Sequence, residues 1–260
     1  MLPGDAMQRS VKDWGGVIAA FILVIVVNSM ANGIPLGGQT TGEISAKYPS
    51  LFTPAGSTFA IWGLIYLLLT AFVIYQALPA QRSNQKIARI STLFIVSCLA
   101  NAVWIFVWHY DLLWLSLLLM AAILLSLVQI YRSLDAAGPA ASKGEWLFLR
   151  LPFSVYTGWI TVATIANISC VQIAMGWDDV GLSASDWTLL KLAIAGAIGA
   201  TVVIRIGDVA YALVIAWAAY GIASRQVATP EVAGAAATLA VLAVLLATAA
   251  VVRTRNSREL

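Results

Sequence analysis

Aromatic and amide side chains recur along this chain at intervals that place them on common helix faces. Trp62 and Tyr66 are four apart. Asn101, Trp104 and Trp108 follow at intervals of three and four. Tyr156, Trp159, Ala163 and Asn167 continue at three, four and four, and Asn28 and Asn32 are four apart nearer the N-terminus. On an α-helix these intervals stack side chains on one face. Indoles and phenols combine a broad apolar surface with one polar handle. Amides supply directional hydrogen bonds. Together they can stack against a flat apolar molecule and orient it. The same set also serves as interhelical glue, with asparagines bonding across helices and indoles filling gaps. Spacing alone leaves both uses open. Trp14, Trp114, Trp177 and Trp187 fall near span ends, where tryptophan favours the lipid–water interface. Mid-span Trp62, Trp104 and Trp159 are explained least by that habit.

Other chemistries lack their parts. The single histidine, His109, stands at a helix end beside Tyr110 and Asp111, with no second His or Cys nearby to complete a metal site. Cys98 and Cys170 lie in apolar segments and read as small core side chains. No nucleophile–base pair is apparent, so the expectation is no catalytic residue, no metal and no certain cofactor. No predicted span carries a central Asp or Glu, which argues against ion-coupled pumping and voltage sensing.

The elements that would position these residues follow from composition. Of 260 residues, 61% are hydrophobic and 10% charged, against about 25% charged in soluble domains. Lipid is therefore the main solvent. A net charge of +3 is too small to suggest a nucleic-acid partner. A helix needs about 20 apolar residues to cross a bilayer. Eight segments qualify: Trp14–Ile34, Ser57–Leu78, Ile87–Trp108, Leu112–Tyr131, Leu149–Gly176, Trp187–Ile204, Asp208–Ser224 and Val232–Val252. The fold class is thus all-α, a polytopic transmembrane helical bundle. His109-Tyr110-Asp111 and Arg205-Ile206-Gly207-Asp208 are read as the short breaks between spans three and four and between six and seven.

Charge placement predicts orientation. With both termini in the cytoplasm, the inner segments hold Arg9, Lys12, Arg82, Lys86, Arg89, Arg132, Lys143, Arg150, Arg205, Arg253, Arg255 and Arg258. The outer segments hold Lys47 and Arg225, and Lys191 lies inside span six. Twelve against two favours this orientation and an even span count. The acidic loop from Asp178-Asp179 to Asp186 then faces outward. The stretch Pro35 to Ala55 is the one long loop; its glycines and prolines predict irregular structure or, in part, a short helix, placed where it could cover a pocket opening outward.

The chain divides by composition. Residues 1–180 hold most of the tryptophans, prolines and asparagines; residues 181–260 form three alanine- and glycine-rich spans. Ala193/Ala197 and Ala195/Gly199 repeat small residues four apart, which lets helices approach closely. Packing within the monomer and a homodimer both use such a pattern.

Three motifs carry a resemblance to a known family. The stretch from Thr53 through Phe59, Trp62 and Tyr66 to Leu68 resembles the second-helix signature of the tryptophan-rich sensory proteins, the translocator protein (TspO/MBR) family. Ala100-Asn101-Ala102-Val103-Trp104 is similar to the family's third-helix Asn-x-x-Trp. Leu151 to Asn167 looks like its fifth-helix pattern of proline, tryptophan, a small residue and asparagine. The motifs lie within residues 15–176. The resemblance implies a five-helix bundle around a pocket for porphyrins, haem breakdown products or sterol-like molecules, with three further helices beyond it. It places Trp62, Tyr66, Asn101, Trp104, Trp159, Ala163 and Asn167 at that pocket. Asn101 would supply directional hydrogen bonds and Ala163 would leave room. Phe52-Thr53-Pro54-Ala55 has one proline and no tryptophan where the family loop usually has two prolines and a tryptophan, which implies a different lid.

The expected protein is a membrane binding protein for a hydrophobic, tetrapyrrole-like ligand, acting in its sensing, regulation or movement. It is expected in a bacterial inner membrane, with the bilayer and that ligand as partners. A transporter or permease component for a small hydrophobic molecule is one alternative, and a structural subunit of a membrane complex is another. Enzymatic breakdown of a bound pigment enters only through the resemblance.

Overall fold

The computed structural model describes residues 9–34, 36–134, 142–177 and 180–259, without the side chains of Asn32 and of residues 255–259. Readings that involve Pro35, Asp178, Asp179 and the side chains of Asn32, Arg255 and Arg258 lie outside the described part.

Helices dominate because in lipid each must satisfy its own backbone hydrogen bonds. α1 (Val11–Gly33) leads through a short turn to α2 (Thr41–Ala46). A tight turn over Gly56–Ala60 opens α3 (Ile61–Ala77), followed by α4 (Gln85–His109) and α5 (Leu113–Ser133). α6 (Lys143–Glu145) runs through a wide π turn (Trp146–Arg150) into α7 (Leu151–Ala174). α8 (Ala184–Ile206), α9 (Val209–Arg225) and α10 (Pro230–Glu259) complete the chain. Among the described residues seven helical segments are long and apolar enough to span a membrane, and Val209–Arg225 is a shorter apolar helix. No strand occurs among them. The protein is a multispan membrane protein, with Leu67, Ile74, Leu118 and Leu125 each more than 60% exposed on the helix exterior.

Polar residues mark the helix ends. Ser10, Asn84, Ser183 and Asp208 cap α1, α4, α8 and α9 through their side chains. The break after α4 turns on Asp111, at φ 55°, and that after α8 on Gly207, at φ 74°. The fifth predicted span starts earlier than Leu149. Pro152 has no N–H to give and its ring crowds the carbonyl four residues back. The helix accommodates this by widening into the π turn at Trp146–Arg150, preceded by Lys143–Glu145.

Five helices close a ring. α1 packs on α3 and α4, α4 on α5, α5 on α7, and α7 on α3. α9 lies against α7, and α8 and α10 pack on α9 and on each other. Ala195 and Gly199 are buried within this layer, and the Gly199 Cα lies where a Cβ would come 3.2 Å from the Ile215 side chain. Ala193 and Ala197 face outward.

The two halves of the ring differ. Towards the end that carries both termini, the interior is filled by Phe72, Phe94 and Phe153. These fully buried rings pack edge to face with centroids 4.9 to 5.9 Å apart. Arg9 locks the same end. Its guanidinium pairs with Asp13 at 2.9 Å and donates to the Gln76 backbone and side-chain oxygens and to the Ser91 hydroxyl, joining α1, α3 and α4. Towards the opposite end the ring is hollow.

Candidate functional site

The hollow is built by the helix faces that carry the spaced aromatics. Trp62 and Tyr66 stack on one face of α3, with ring centroids 5.5 Å apart. Trp159 of α7 meets Trp62 edge-on at 6.3 Å and Phe59 at 5.8 Å. Trp104 and Trp108 of α4 form a stacked pair at 5.4 Å. Two adjoining cavities of about 670 and about 60 Å³ share Thr41, Ser45, Thr53, Phe59, Trp62 and Trp104 in their walls. They form one chamber. Ligand pockets commonly measure roughly 300–1,000 Å³ and are mostly apolar with a few polar groups.

The polar atoms of the chamber divide into two sets. One set is spent on structure. The Trp108 indole N–H donates to the Thr41 carbonyl at 3.1 Å and so holds α2 over the chamber. The Asn167 amide and the Ser116 hydroxyl bond each other. The second set has no hydrogen-bond partner within the protein: the indole nitrogens of Trp104 and Trp159 and the hydroxyls of Tyr66, Thr41 and Thr53. All five belong to residues of the chamber wall. A buried donor left unsatisfied costs roughly 1–3 kcal/mol, so five at one cavity is a concentration that packing alone does not favour.

Six of the seven residues singled out in the sequence lie here. Trp62 and Trp104 line both parts of the chamber. Tyr66 lines the larger part, and Trp159, Ala163 and Asn167 line the smaller. Asn101 stands behind the wall. It is buried, its side-chain oxygen accepts from the Asn28 amide at 2.9 Å, and its own amide donates to the Tyr156 hydroxyl at 3.3 Å. It ties α1, α4 and α7 together. Sequence reasoning passed over Phe59, Thr41, Thr53, Met120 and Arg225 as wall residues. Phe59 stood inside the quoted motif. Thr53 opened that motif too, and Thr41 begins the short α2, which has too few residues to show a periodicity.

The loop is pinned from several sides. Thr40 and Glu43 form a reciprocal cap at the start of α2. The Thr40 N–H and hydroxyl bonds hold the exposed Glu43 carboxyl below its usual range. Lys47 and Tyr48 both bind the Asp111 carboxylate, at 2.6 and 3.1 Å. Burial, then that carboxylate, raises the Tyr48 phenol above its ordinary value. The strap from Pro54 to Thr58 is held by α9. Ala55 N–H donates to the Gly221 carbonyl at 2.9 Å, Trp217 Nε1–H to the Thr58 carbonyl at 2.9 Å, and Arg225 to the Pro54 carbonyl at 3.3 Å.

The model of a family described as "TSPO-like protein" matches residues 14–251. The chain belongs to the TSPO-like protein family. The match extends past the three motifs and runs through α8, α9 and most of α10. No curated protein and no solved structure matches the chain.

Within this TSPO-like protein a second cavity, of about 360 Å³, opens at the end that carries the termini, between α5, α7 and the α8–α9 turn. Its acid, Asp208, is already engaged. It accepts from the Tyr131 and Ser154 hydroxyls at 2.6 and 2.7 Å while capping α9. None of the seven residues picked from sequence lies there. Among the described residues no group of three His, Cys, Asp or Glu is placed to hold a metal ion. His109 is buried at the end of α4, with Nδ1 2.6 Å from the Ile105 carbonyl.

Proposed function

We propose that the protein binds a flat, largely apolar, tetrapyrrole-like molecule in the chamber between α3, α4 and α7. One observation carries this reading: indoles from separate helices converge on one cavity, and five buried polar atoms around it have no partner within the protein. A guest with an apolar plane and peripheral acceptors would satisfy both features. Trp62 would stack on its plane, and Trp159 Nε1 and Trp104 Nε1 would donate to its edge. Ala163 would leave space, and Asn101 would serve as a strut that fixes the wall rather than as a contact. Family membership supports the ligand class, since TSPO proteins bind porphyrins and other hydrophobic molecules.

The phenylalanine plug supports binding over free passage. A straight path along the ring axis would have to displace Phe72, Phe94 and Phe153. The distribution of Lys and Arg supports cytoplasmic termini and a chamber opening on the far side of a bacterial inner membrane. In this reading α1–α7 hold the ligand and α8–α10 brace the ring through α9.

The test is a titration of the detergent-purified protein with protoporphyrin, followed by tryptophan quenching. Trp62→Ala, Trp104→Ala and Trp159→Ala should each weaken binding about tenfold, the equivalent of 1.4 kcal/mol of lost stacking and hydrogen bonding. Trp114→Ala, a change at an exposed site, should leave it intact. Unchanged affinity in all three wall variants refutes the assignment.

A further inference from the structure

Arg225 is the last residue of α9, and its side chain borders the larger part of the chamber. Its placement is built into the backbone. Gly221, one turn earlier, sits so close to the strap that a Cβ there would come 2.0 Å from Thr58 Oγ1 and 2.9 Å from Thr58 Cβ. Only glycine allows this approach, and the approach lets Ala55 N–H reach the Gly221 carbonyl. Trp217 secures the next residues of the strap. The arginine then extends over Pro54, with one guanidinium nitrogen on the Pro54 carbonyl at 3.3 Å.

Among the described residues the arginine has no counter-ion. The far end of the bundle is poor in cations, with Lys47 and Arg225 on its loops. Lys47 is paired with Asp111. Among the described residues no carboxylate lies within ion-pair distance of Arg225. Glu43 borders the same cavity, but its carboxylate turns back onto the Thr40 N–H and hydroxyl, at 2.6 and 2.9 Å. Beside Pro54 stands Thr53, only 2% exposed, whose hydroxyl borders the chamber with no partner within the protein. A guanidinium and a hydroxyl at the mouth of an apolar chamber form a receptor for an acidic group on the guest.

We propose that Arg225, with Thr53, is the specificity determinant of the chamber and selects guests that carry a carboxylate on an apolar body. This inference rests on the proposed ligand-binding role. A single guanidinium sharing the mouth with Glu43 suits one negative charge better than the two of a phosphate. The three C-terminal helices thereby complete the site instead of merely supporting it, because the residue that reads the acid comes from α9.

The test compares protoporphyrin with its dimethyl ester on the full-length protein, by tryptophan quenching at low and moderate salt. The wild type should prefer the free acid by about tenfold, and the preference should shrink as salt rises because the arginine is partly exposed. Arg225→Gln should abolish the preference, so that acid and ester bind alike whatever the absolute affinity, with a melting curve reporting an intact fold. Arg225→Lys should recover part of it. Equal affinity of the wild type for acid and ester, or a preference that survives in Arg225→Gln, overturns the inference and leaves the proposed function standing. Absence of quenching by either probe overturns both.

Discussion

Thr53 illustrates how a single atom separates architecture from function. Its side chain is 2% exposed, yet its hydroxyl has no partner within the protein. A buried hydroxyl that bonds nothing lowers stability, and the isosteric apolar residue removes that cost. Thr53→Val should therefore raise the stability of the unliganded protein by about 1 kcal/mol, read from its detergent melting curve. The same change should weaken porphyrin binding several-fold. A stability loss, or unchanged affinity, would mean the hydroxyl is structural. The helix faces that carry the seven residues could be read from intervals of three and four, which define a face without knowledge of the fold; the resemblance singled out the seven on those faces. What each amide does was not legible. Asn101 and Asn167 look alike in sequence, but Asn28 and Tyr156 claim the first while the second lines the chamber beside Ser116. Partner choice across helices depends on rotation and depth, which one chain's spacing does not encode.

α9 is a short apolar helix, and it is fastened to the rest of the chain at both ends. Asp208 fastens its start to Tyr131 and Ser154, the Tyr211 hydroxyl shares a hydrogen bond with Thr161 at 2.7 Å, and Gly221, Trp217 and Arg225 grip the strap. Gly221→Ala tests this grip. The added methyl would overlap Thr58, whose Cβ is too near for a rotamer change alone to relieve it. Overpacking of this kind costs about 1–3 kcal/mol. The variant should melt earlier and bind porphyrin more weakly because the strap forms part of the chamber wall; the melting curve and the quenching titration read the two effects. Melting and binding both like wild type would show that the strap stands without α9. The bounds of α9 were readable as the apolar run Asp208–Ser224 between the break Arg205-Ile206-Gly207-Asp208 and the charged Arg225. Its role was not, since the contact with Thr58 spans more than 150 residues and leaves no local trace.

At the scale of the molecule, the exterior is apolar because lipid surrounds it, and the interior is where polarity must be accounted for. One half of the ring resolves that by packing three phenylalanines together and binding Arg9 into a network of α1, α3 and α4. The other half leaves a hollow rimmed with indoles. Among the described residues the seven spans and the shorter apolar helix, with their order, could be read from the lengths of apolar runs and the polar clusters between them. The π turn before Pro152 could not, because a wide turn is a compromise between a missing N–H and the packing of α7, and only the second is invisible in the sequence. Nor could the sequence distinguish a hollow ring from a filled one, since volume depends on how far the helices stand apart.

That hollow can be filled deliberately. Ala163 lies half-buried on the wall of the smaller part of the chamber, where a larger side chain would take up the space. The most direct test is porphyrin binding by Ala163→Trp, measured by calorimetry in detergent beside a melting curve for the same sample. Loss of binding by more than about tenfold with the melting temperature retained is the expected result. Porphyrin binding at wild-type affinity and one-to-one stoichiometry in a chamber occupied by the new indole would place the ligand elsewhere and contradict the account.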